Sequence, residues 1–174
     1  MNYIATIGNF DGIHIGHQML IQNVLMQAEE KKLRSLLYTF NVHTKGSREL
    51  ILNPKDKVLF LQQMGLEKVK LLNFESIRKM TPREFVFHLS EQKIKELIVG
   101  EDFRFGVHAS GNAEILKELC AQKDITVMIF PSVYIGNEKI SSTYLREELK
   151  LGKLEKVNPF LYQNFFITSK IVGG

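Results

Sequence analysis

The chain has 174 residues, 44% of them hydrophobic and 24% charged, which is typical of one globular domain with a substantial core. No apolar run approaches the roughly 20 residues that a membrane-spanning helix needs, and the first residues lack the basic and apolar regions of a signal peptide. The net charge of +4 comes from basic residues scattered among acidic ones, and the single cysteine, Cys120, cannot form an intramolecular disulfide. We therefore expect a cytoplasmic protein that binds neither nucleic acid nor a membrane.

Short β-rich runs alternate with amphipathic segments along the chain. Hydrophobic spacing, together with helix-start signals at Asn53-Pro54 and Thr81-Pro82, sets the boundaries. In chain order these patterns predict a strand at 3–7, a helix at 18–31, a strand at 35–40, a helix beginning at Pro54, a strand at 68–74, a helix beginning at Pro82, a strand at 96–100, a helix at 113–121 and a strand at 125–130. A hairpin at 132–140 turning at Gly136-Asn137, a helix at 141–150 and a last strand at 164–172 follow.

This alternation predicts an α/β fold, doubly wound, with a mainly parallel sheet and helices on both of its faces. In such open sheets a ligand binds beyond the carboxyl ends of the strands. The residues that carry chemistry should therefore come directly after strands, and the sequence places them there.

The segment GNFDGIHIGH at 8–17 follows the first strand and opens the first helix. Its glycines let the backbone approach a ligand closely, and the N–H groups of a helix start favour an anion. His14 and His17, three residues apart, can point at one phosphate, and Gly16 between them leaves room for a nucleotide. A zinc site would need further ligands, and Asp11 is the only obvious neighbour, so phosphate binding is favoured.

This segment contains the HxGH signature of the nucleotidyltransferase superfamily, and more specifically it resembles the opening motif of the bacterial FAD synthetase family. In that family an FMN adenylyltransferase module precedes a riboflavin kinase module. GEDFRFG at 100–106 resembles the family's GxDFxFG loop, and ISSTYLR at 140–146 resembles its ISSTxIR motif. TFNVHT at 39–44 resembles its TFxPHP loop, although Val42 and Thr44 stand where prolines are usual, so this loop should be less rigid.

The resemblance implies transfer of AMP from ATP to FMN with Mg²⁺, giving FAD, with ATP and FMN as partners and with no confident side-chain metal ligand. It implies catalytic roles for His14, His17 and Arg146. The ATP-binding residues it implies are Gly8, Asn9, Phe10, Gly16, His17, Gly100, Asp102, Ser141, Ser142, Thr143 and Arg146. The flavin-binding residues it implies are Phe40, His43, Phe103, Arg104 and Phe105, since aromatic faces suit a planar ring and Arg104 suits a phosphate.

The resemblance also implies a division of the chain. Residues 1–158 would form the FMN adenylyltransferase domain, and residues 159–174 would open a riboflavin kinase module whose later motifs do not occur here. The chain should then lack riboflavin kinase activity and use FMN made elsewhere.

Two alternatives remain open at this point. The first is another HxGH nucleotidyltransferase with phosphopantetheine, nicotinate mononucleotide or glycerol phosphate as acceptor, although those enzymes do not share the later motifs as a set. The second is a non-catalytic nucleotide or flavin sensor on the same scaffold, which loss of His14, His17 or Arg146 would favour. All three residues are present.

Overall fold

A parallel sheet flanked by helices forms the centre of the molecule. The computed structural model describes residues 2–40 and 49–168. In chain order the elements are β1 (Tyr3–Ile7), α1 (Ile15–Glu30), β2 (Arg34–Phe40), α2 (Pro54–Gln63), β3 (Lys68–Leu72), α3 (Phe74–Ile77), α4 (Pro82–Ser90), β4 (Ile94–Gly100), β5 (Arg104–Phe105), β6 (Gly111–Asn112), α5 (Ala113–Ala121), β7 (Thr126–Phe130), β8 (Tyr134–Ile135), β9 (Glu138–Lys139), α6 (Ser142–Lys150) and α7 (Leu154–Val157). Short 3₁₀ turns cover Asp11–Ile13, Val107–Ala109 and Asn158–Phe160.

The five-stranded sheet has the order β3-β2-β1-β4-β7, and every neighbouring pair in it is parallel. The chain starts at the central strand, builds outward through β2 and β3, and then returns to the other side of β1 for β4 and β7. The order therefore reverses between β1 and β4, where α/β proteins of this kind bind their ligands. The predicted doubly wound α/β fold is confirmed.

Side chains that alternate along β1 bury opposite faces of the sheet. Ala5 and Ile7 join a core that α4 and α5 cover, whereas Ile4 joins a second core that α1 and α2 cover. A strand buried on both sides needs apolar residues on both faces, which explains Ile4, Ala5 and Ile7 in β1, where the buried Thr6 is the exception.

Capping side chains fix the starts of the helices that face the site. The Asn53 side chain accepts hydrogen bonds from the N–H groups of Lys55 and Asp56, and Thr81 with Glu84 forms a complete capping box. Both starts lie where the sequence predicts them. Helix α1 begins at Ile15, three residues earlier than expected, because His14 takes the extended N-cap conformation.

The predicted strand at 164–172 is wrong over its described part, since residues 164–168 form no strand. A strand needs a partner for its backbone groups. Here the Phe165 N–H donates instead to Oδ1 of Asn158 over 2.8 Å, and Oγ1 of Thr168 donates to Oδ2 of Asp56 over 2.8 Å. Residues 169–172 lie outside the described residues. Across the described stretches, no helix has both the length and the apolar character needed to cross a bilayer.

Candidate functional site

The motifs from distant parts of the sequence meet beyond the carboxyl edge of the sheet. The loop at 8–14 follows β1, the TFNVHT motif begins in the last residues of β2, and Gly100 ends β4. Helix α6 brings the ISSTYLR motif to the same place, since Oγ of Ser142 donates to the carbonyl oxygen of Asp11 over 2.8 Å. This hydrogen bond joins the ISSTYLR motif to the loop that carries the histidines.

His14 and His17 lie face to face at the N-terminus of α1. Their ring centroids are 3.6 Å apart with an interplanar angle of 24°, and the Phe10 ring lies 5.1 Å from that of His17. Nδ1 of each histidine is buried and has no hydrogen-bond partner among the described residues. Buried polar atoms in folded proteins are normally hydrogen-bonded, so two unpartnered ring nitrogens in a stacked pair at a helix N-terminus call for an explanation, and an anionic ligand would supply one.

Both histidines are neutral at pH 7. Burial lowers the pKa of His14 to about 4, against a smaller opposing effect of the Asp102 carboxylate. Burial also lowers the pKa of His17 well below its ordinary value, and the nearby His14 and Lys57 lower it further. Each neutral imidazole keeps one N–H donor and one acceptor nitrogen. A polyanion arriving at the rings would raise both pKa values and strengthen the contact.

Gly16 makes room for His14. A Cβ atom at Gly16 would lie 3.2 Å from Cε1 and 3.3 Å from Nδ1 of the His14 ring. The sequence suggested that this glycine leaves space for a nucleotide. The structure places the His14 ring next to its Cα, and contact of a nucleotide with Gly16 stays a prediction.

Asp11 connects several segments of the site. The sequence indicates it only as a possible neighbour of the histidines in a zinc site. Its carboxylate is fully buried, and Oδ1 accepts hydrogen bonds from the N–H groups of Ile51, over 3.0 Å, and Leu52, over 3.2 Å. Oδ2 accepts from Nη1 of Arg146 over 2.8 Å. The guanidinium, predicted to reach phosphates, is therefore held by Asp11, and Nη2 lies 3.4 Å from Oγ1 of Thr143.

Lys57 is a site residue that the sequence gave no reason to single out. It lies in the first turns of α2 with a side chain only 1% exposed. Its Nζ donates to the carbonyl oxygen of Asn9 over 2.9 Å and to that of Phe40 over 2.7 Å. Burial lowers its pKa to about 8, although the Asp11 carboxylate acts in the opposite direction. A lysine on an amphipathic helix normally faces water, so only the tertiary structure reveals this one.

The GEDFRFG loop divides its aromatic residues between core and surface. Phe105 is 6% exposed and packs on Phe85 at a centroid distance of 4.9 Å, so its ring belongs to the core. Phe103 is partly buried and stacks on Phe105 at 5.7 Å and 15°. Arg104 is exposed, with Nη1 donating to the carbonyl of Phe103 over 2.9 Å. Flavin contact by these three residues stays a prediction, and of the two phenylalanines Phe103 is the more accessible.

The remaining predicted residues lie around this edge. Phe40 is buried and packs edge-on against Phe74 at 5.4 Å, while Asp102 is exposed and paired with Lys139 over 3.1 Å. Oδ1 of Asn9 is buried with no hydrogen-bond partner among the described residues. The other predicted residues have backbone or capping roles: Gly8 follows β1 against the Phe10 ring, and Ser141 caps α6 by accepting from the N–H of Tyr144 over 3.2 Å. His43 lies outside the described residues.

No three His, Cys, Asp or Glu side chains come together to hold a metal ion within residues 2–40 and 49–168.

Comparison with known proteins agrees with this geometry. The family model described as FAD synthetase matches residues 1–144. The bifunctional riboflavin kinase/FMN adenylyltransferase of Buchnera aphidicola subsp. Schizaphis graminum is 30% identical over 99% of this chain and 59% of that protein. The FAD synthetase of Listeria monocytogenes is 29% identical over 98% of this chain and 73% of that protein.

A solved structure is also similar. A crystal structure described as a macrolide-efflux protein from Streptococcus pneumoniae aligns with a TM-score of 0.84 and 29% identity, covering 94% of this chain and 57% of that one. This chain spans about 60% of the length of the Buchnera relative. With its whole sheet, the GEDFRFG loop and the start of α6 inside the matched range, the chain belongs to the FAD synthetase family.

Proposed function

We propose that this chain transfers AMP from ATP to FMN, giving FAD and pyrophosphate. The observation that carries the proposal is the stacked pair His14 and His17, which presents two buried, unpartnered Nδ1 atoms at a helix N-terminus. Membership of the FAD synthetase family supports FMN as the acceptor, and it disfavours the acceptors of the other HxGH nucleotidyltransferases.

The reaction needs no nucleophile from the protein. A phosphate oxygen of FMN, already an anion at neutral pH, forms a bond to the α-phosphorus of ATP as the bond to the bridging oxygen breaks. That oxygen leaves with its electron pair as part of pyrophosphate. Catalysis must then come from holding two anions in line and from stabilising the charge that develops on the leaving group.

The residues at the carboxyl edge suit that task. The neutral imidazoles of His14 and His17 can each donate one N–H to a phosphate oxygen, and the N-terminal N–H groups of α1 add to the favourable potential. Arg146 contributes a positive charge, and the ion pair with Asp11 fixes the position of that charge. Mg²⁺ would arrive with ATP as part of the substrate and neutralise phosphate charge when bound.

The proposed flavin side of the site lies at the loop that follows β4. The loop at 100–106 offers the partly buried ring of Phe103 for stacking and the exposed guanidinium of Arg104 for the FMN phosphate. We include Phe40 and His43 in the flavin-binding proposal because the TFNVHT motif at 39–44 begins in β2, the strand next to β1.

The test is incubation of the full chain with Mg²⁺, ATP and either FMN or riboflavin, followed by chromatographic separation of the flavins. We expect FAD from FMN and no product from riboflavin. His17→Ala should abolish FAD formation, while His88→Gln, a matched histidine change on α4 remote from the pair, should retain it. ATP binding without FAD formation would overturn FMN as the acceptor.

A further inference from the structure

The side chain of Lys57 links two loops of the site. Helix α2 starts at the Asn53 cap, and this start directs Lys57 into the interior. Its ammonium group joins the carbonyl of Asn9, just after β1, to the carbonyl of Phe40, the last residue of β2. Oγ1 of Thr39 also donates to the Asn9 carbonyl over 2.9 Å. Lys57 and Thr39 together hold the histidine loop against the end of β2, and Lys57 does so with a buried positive charge.

The charge of Lys57 is not matched by a carboxylate of its own. None of the ion pairs among residues 2–40 and 49–168 includes Lys57. The nearby buried carboxylate, Asp11, is already paired with Arg146. With both histidines neutral, the charges of Asp11 and Arg146 offset each other, and Asp102, the carboxylate that acts on His14, is paired with Lys139, so the positive charge of Lys57 is left over. A buried charge without a partner is costly, and a site that keeps one is suited to an anionic ligand.

We infer that Lys57 is a positioning residue for the triphosphate of ATP. It sets the spacing of the histidine loop and the end of β2, and it supplies the buried positive charge that the incoming polyanion offsets. Because its side chain is almost fully enclosed, Lys57 acts through Asn9, Phe40 and His17 rather than by contacting ATP. This inference rests on the proposed adenylyl transfer and adds to it a residue for nucleotide binding.

The test compares two substitutions at one position. Lys57→Met keeps an unbranched side chain and removes the charge, whereas Lys57→Arg keeps the charge. We expect Lys57→Met to weaken ATP binding, measured by calorimetry on the full chain, by at least tenfold, and Lys57→Arg to recover a substantial part of that loss. Lys55→Met, an exposed lysine two residues earlier on the same helix, should leave ATP binding unchanged.

A second readout separates this role from a merely structural one. Titration of isotope-labelled histidines by NMR should show the pKa of His17 rising in Lys57→Met and staying low in Lys57→Arg, because the positive charge that depresses it is lost only in the first variant. Should Lys57→Met not fold, Lys57→Gln takes its place in both measurements. An unchanged ATP affinity in the folded neutral variant would overturn the inference.

The binding measurement also keeps two failures apart. It requires no FMN, so a wild-type chain that binds ATP but forms no FAD would refute the proposed acceptor and still test Lys57. FAD formation by the wild type together with normal ATP affinity in the neutral variant would refute the role of Lys57 alone.

Discussion

Among single residues, Asp11 connects parts of the site that lie far apart in the sequence. Its two oxygens hold Arg146 of α6 and the N–H groups of Ile51 and Leu52, so one carboxylate connects three segments. Asp11→Asn should reduce the free energy of unfolding by about 3 kcal/mol, because it leaves the guanidinium of Arg146, only 11% exposed, without its anion. Urea denaturation measures this loss.

The matched control for that prediction lies on the same helix as Arg146. Glu147→Gln removes an exposed carboxylate of α6 and should change stability by less than about 0.5 kcal/mol. The double variant Asp11→Asn/Arg146→Met should be more stable than Asp11→Asn alone, since it no longer buries an unpaired charge. A stability of Asp11→Asn close to that of the wild type would contradict the role given to this carboxylate.

The buried histidine pair should make folding sensitive to acid. The pKa of His14 is about 4 in the folded state and about 6.5 in the unfolded chain. Between these values the unfolded chain binds a proton at His14 that the folded chain does not. The contribution of His14 to stability is therefore constant above about pH 7 and falls as the pH drops toward 4. At pH 5 the contribution of His14 alone amounts to a loss of about 2 kcal/mol.

Denaturation of the wild type and of His14→Gln at pH 7 and pH 5 tests this prediction. The loss on acidification should be smaller by about 2 kcal/mol in the variant, because glutamine binds no proton. His17, whose pKa is also lowered, contributes a loss of the same sign in both proteins. Equal losses in the two proteins would show that His14 is not held neutral by burial.

At the scale of elements, the sequence predicts those strands and helices whose bounds depend on neighbouring residues. The five sheet strands, the capped starts of α2 and α4 and the hairpin about Gly136-Asn137 all follow from spacing and capping residues. The small pair β5 and β6 was not predicted, because it depends on the contact of Phe105 with Gly111 rather than on a pattern of its own. The last predicted strand fails at 164–168 because β-rich composition cannot reveal that Phe165 and Thr168 bond to the side chains of Asn158 and Asp56 instead.

Residues in the segment 158–168 contact the site, although the family resemblance implies that residues 159–174 open a riboflavin kinase module. The backbone of Leu161 forms an isolated antiparallel bridge with that of His14, and its side chain lies 3.3 Å from where a Cβ on Gly12 would be. The ring of Tyr162 lies 5.8 Å from that of Phe60 on α2. We propose that this segment belongs to the nucleotide-binding unit, where the bridge from Leu161 to His14 stabilises the histidine loop.

Two truncations test this proposal. Ending the chain after Phe160 should cost about 3 kcal/mol through exposure of apolar surface, and should lower the melting temperature by roughly 6 to 12 °C. FAD formation should fall as well, because His14 loses its backbone partner. Ending the chain after Thr168 keeps the contacts of Leu161, Tyr162 and Thr168, so this protein should be more stable and more active than the one that ends after Phe160. Equal behaviour of the two truncated proteins would place the segment outside the functional unit.

At the scale of the whole molecule, the parallel topology explains why the site could be anticipated. The carboxyl ends of parallel strands share one edge, so motifs placed after strands must come together whatever the sequence distance between them. The partners within that edge could not be read from the sequence. The pairing of Asp11 with Arg146 spans 135 positions, and the burial of Lys57 depends on how α2 sits against β1 and β2.

The positive charge at the carboxyl edge of the sheet predicts how strongly ATP and AMP each stabilise the fold against thermal unfolding. A ligand at one hundred times its dissociation constant adds about 2.7 kcal/mol, which raises the melting temperature of a domain of this size by roughly 5 to 10 °C. The histidine pair, Arg146 and Lys57 are all assigned to the triphosphate, so ATP with Mg²⁺ should give such a shift at concentrations where AMP gives almost none. Thermal unfolding of the wild type with each nucleotide measures the difference, and Lys55→Met should respond as the wild type does. If AMP stabilised the fold as much as ATP, the nucleotide would be held through its base and ribose, and the buried positive charge would need another explanation.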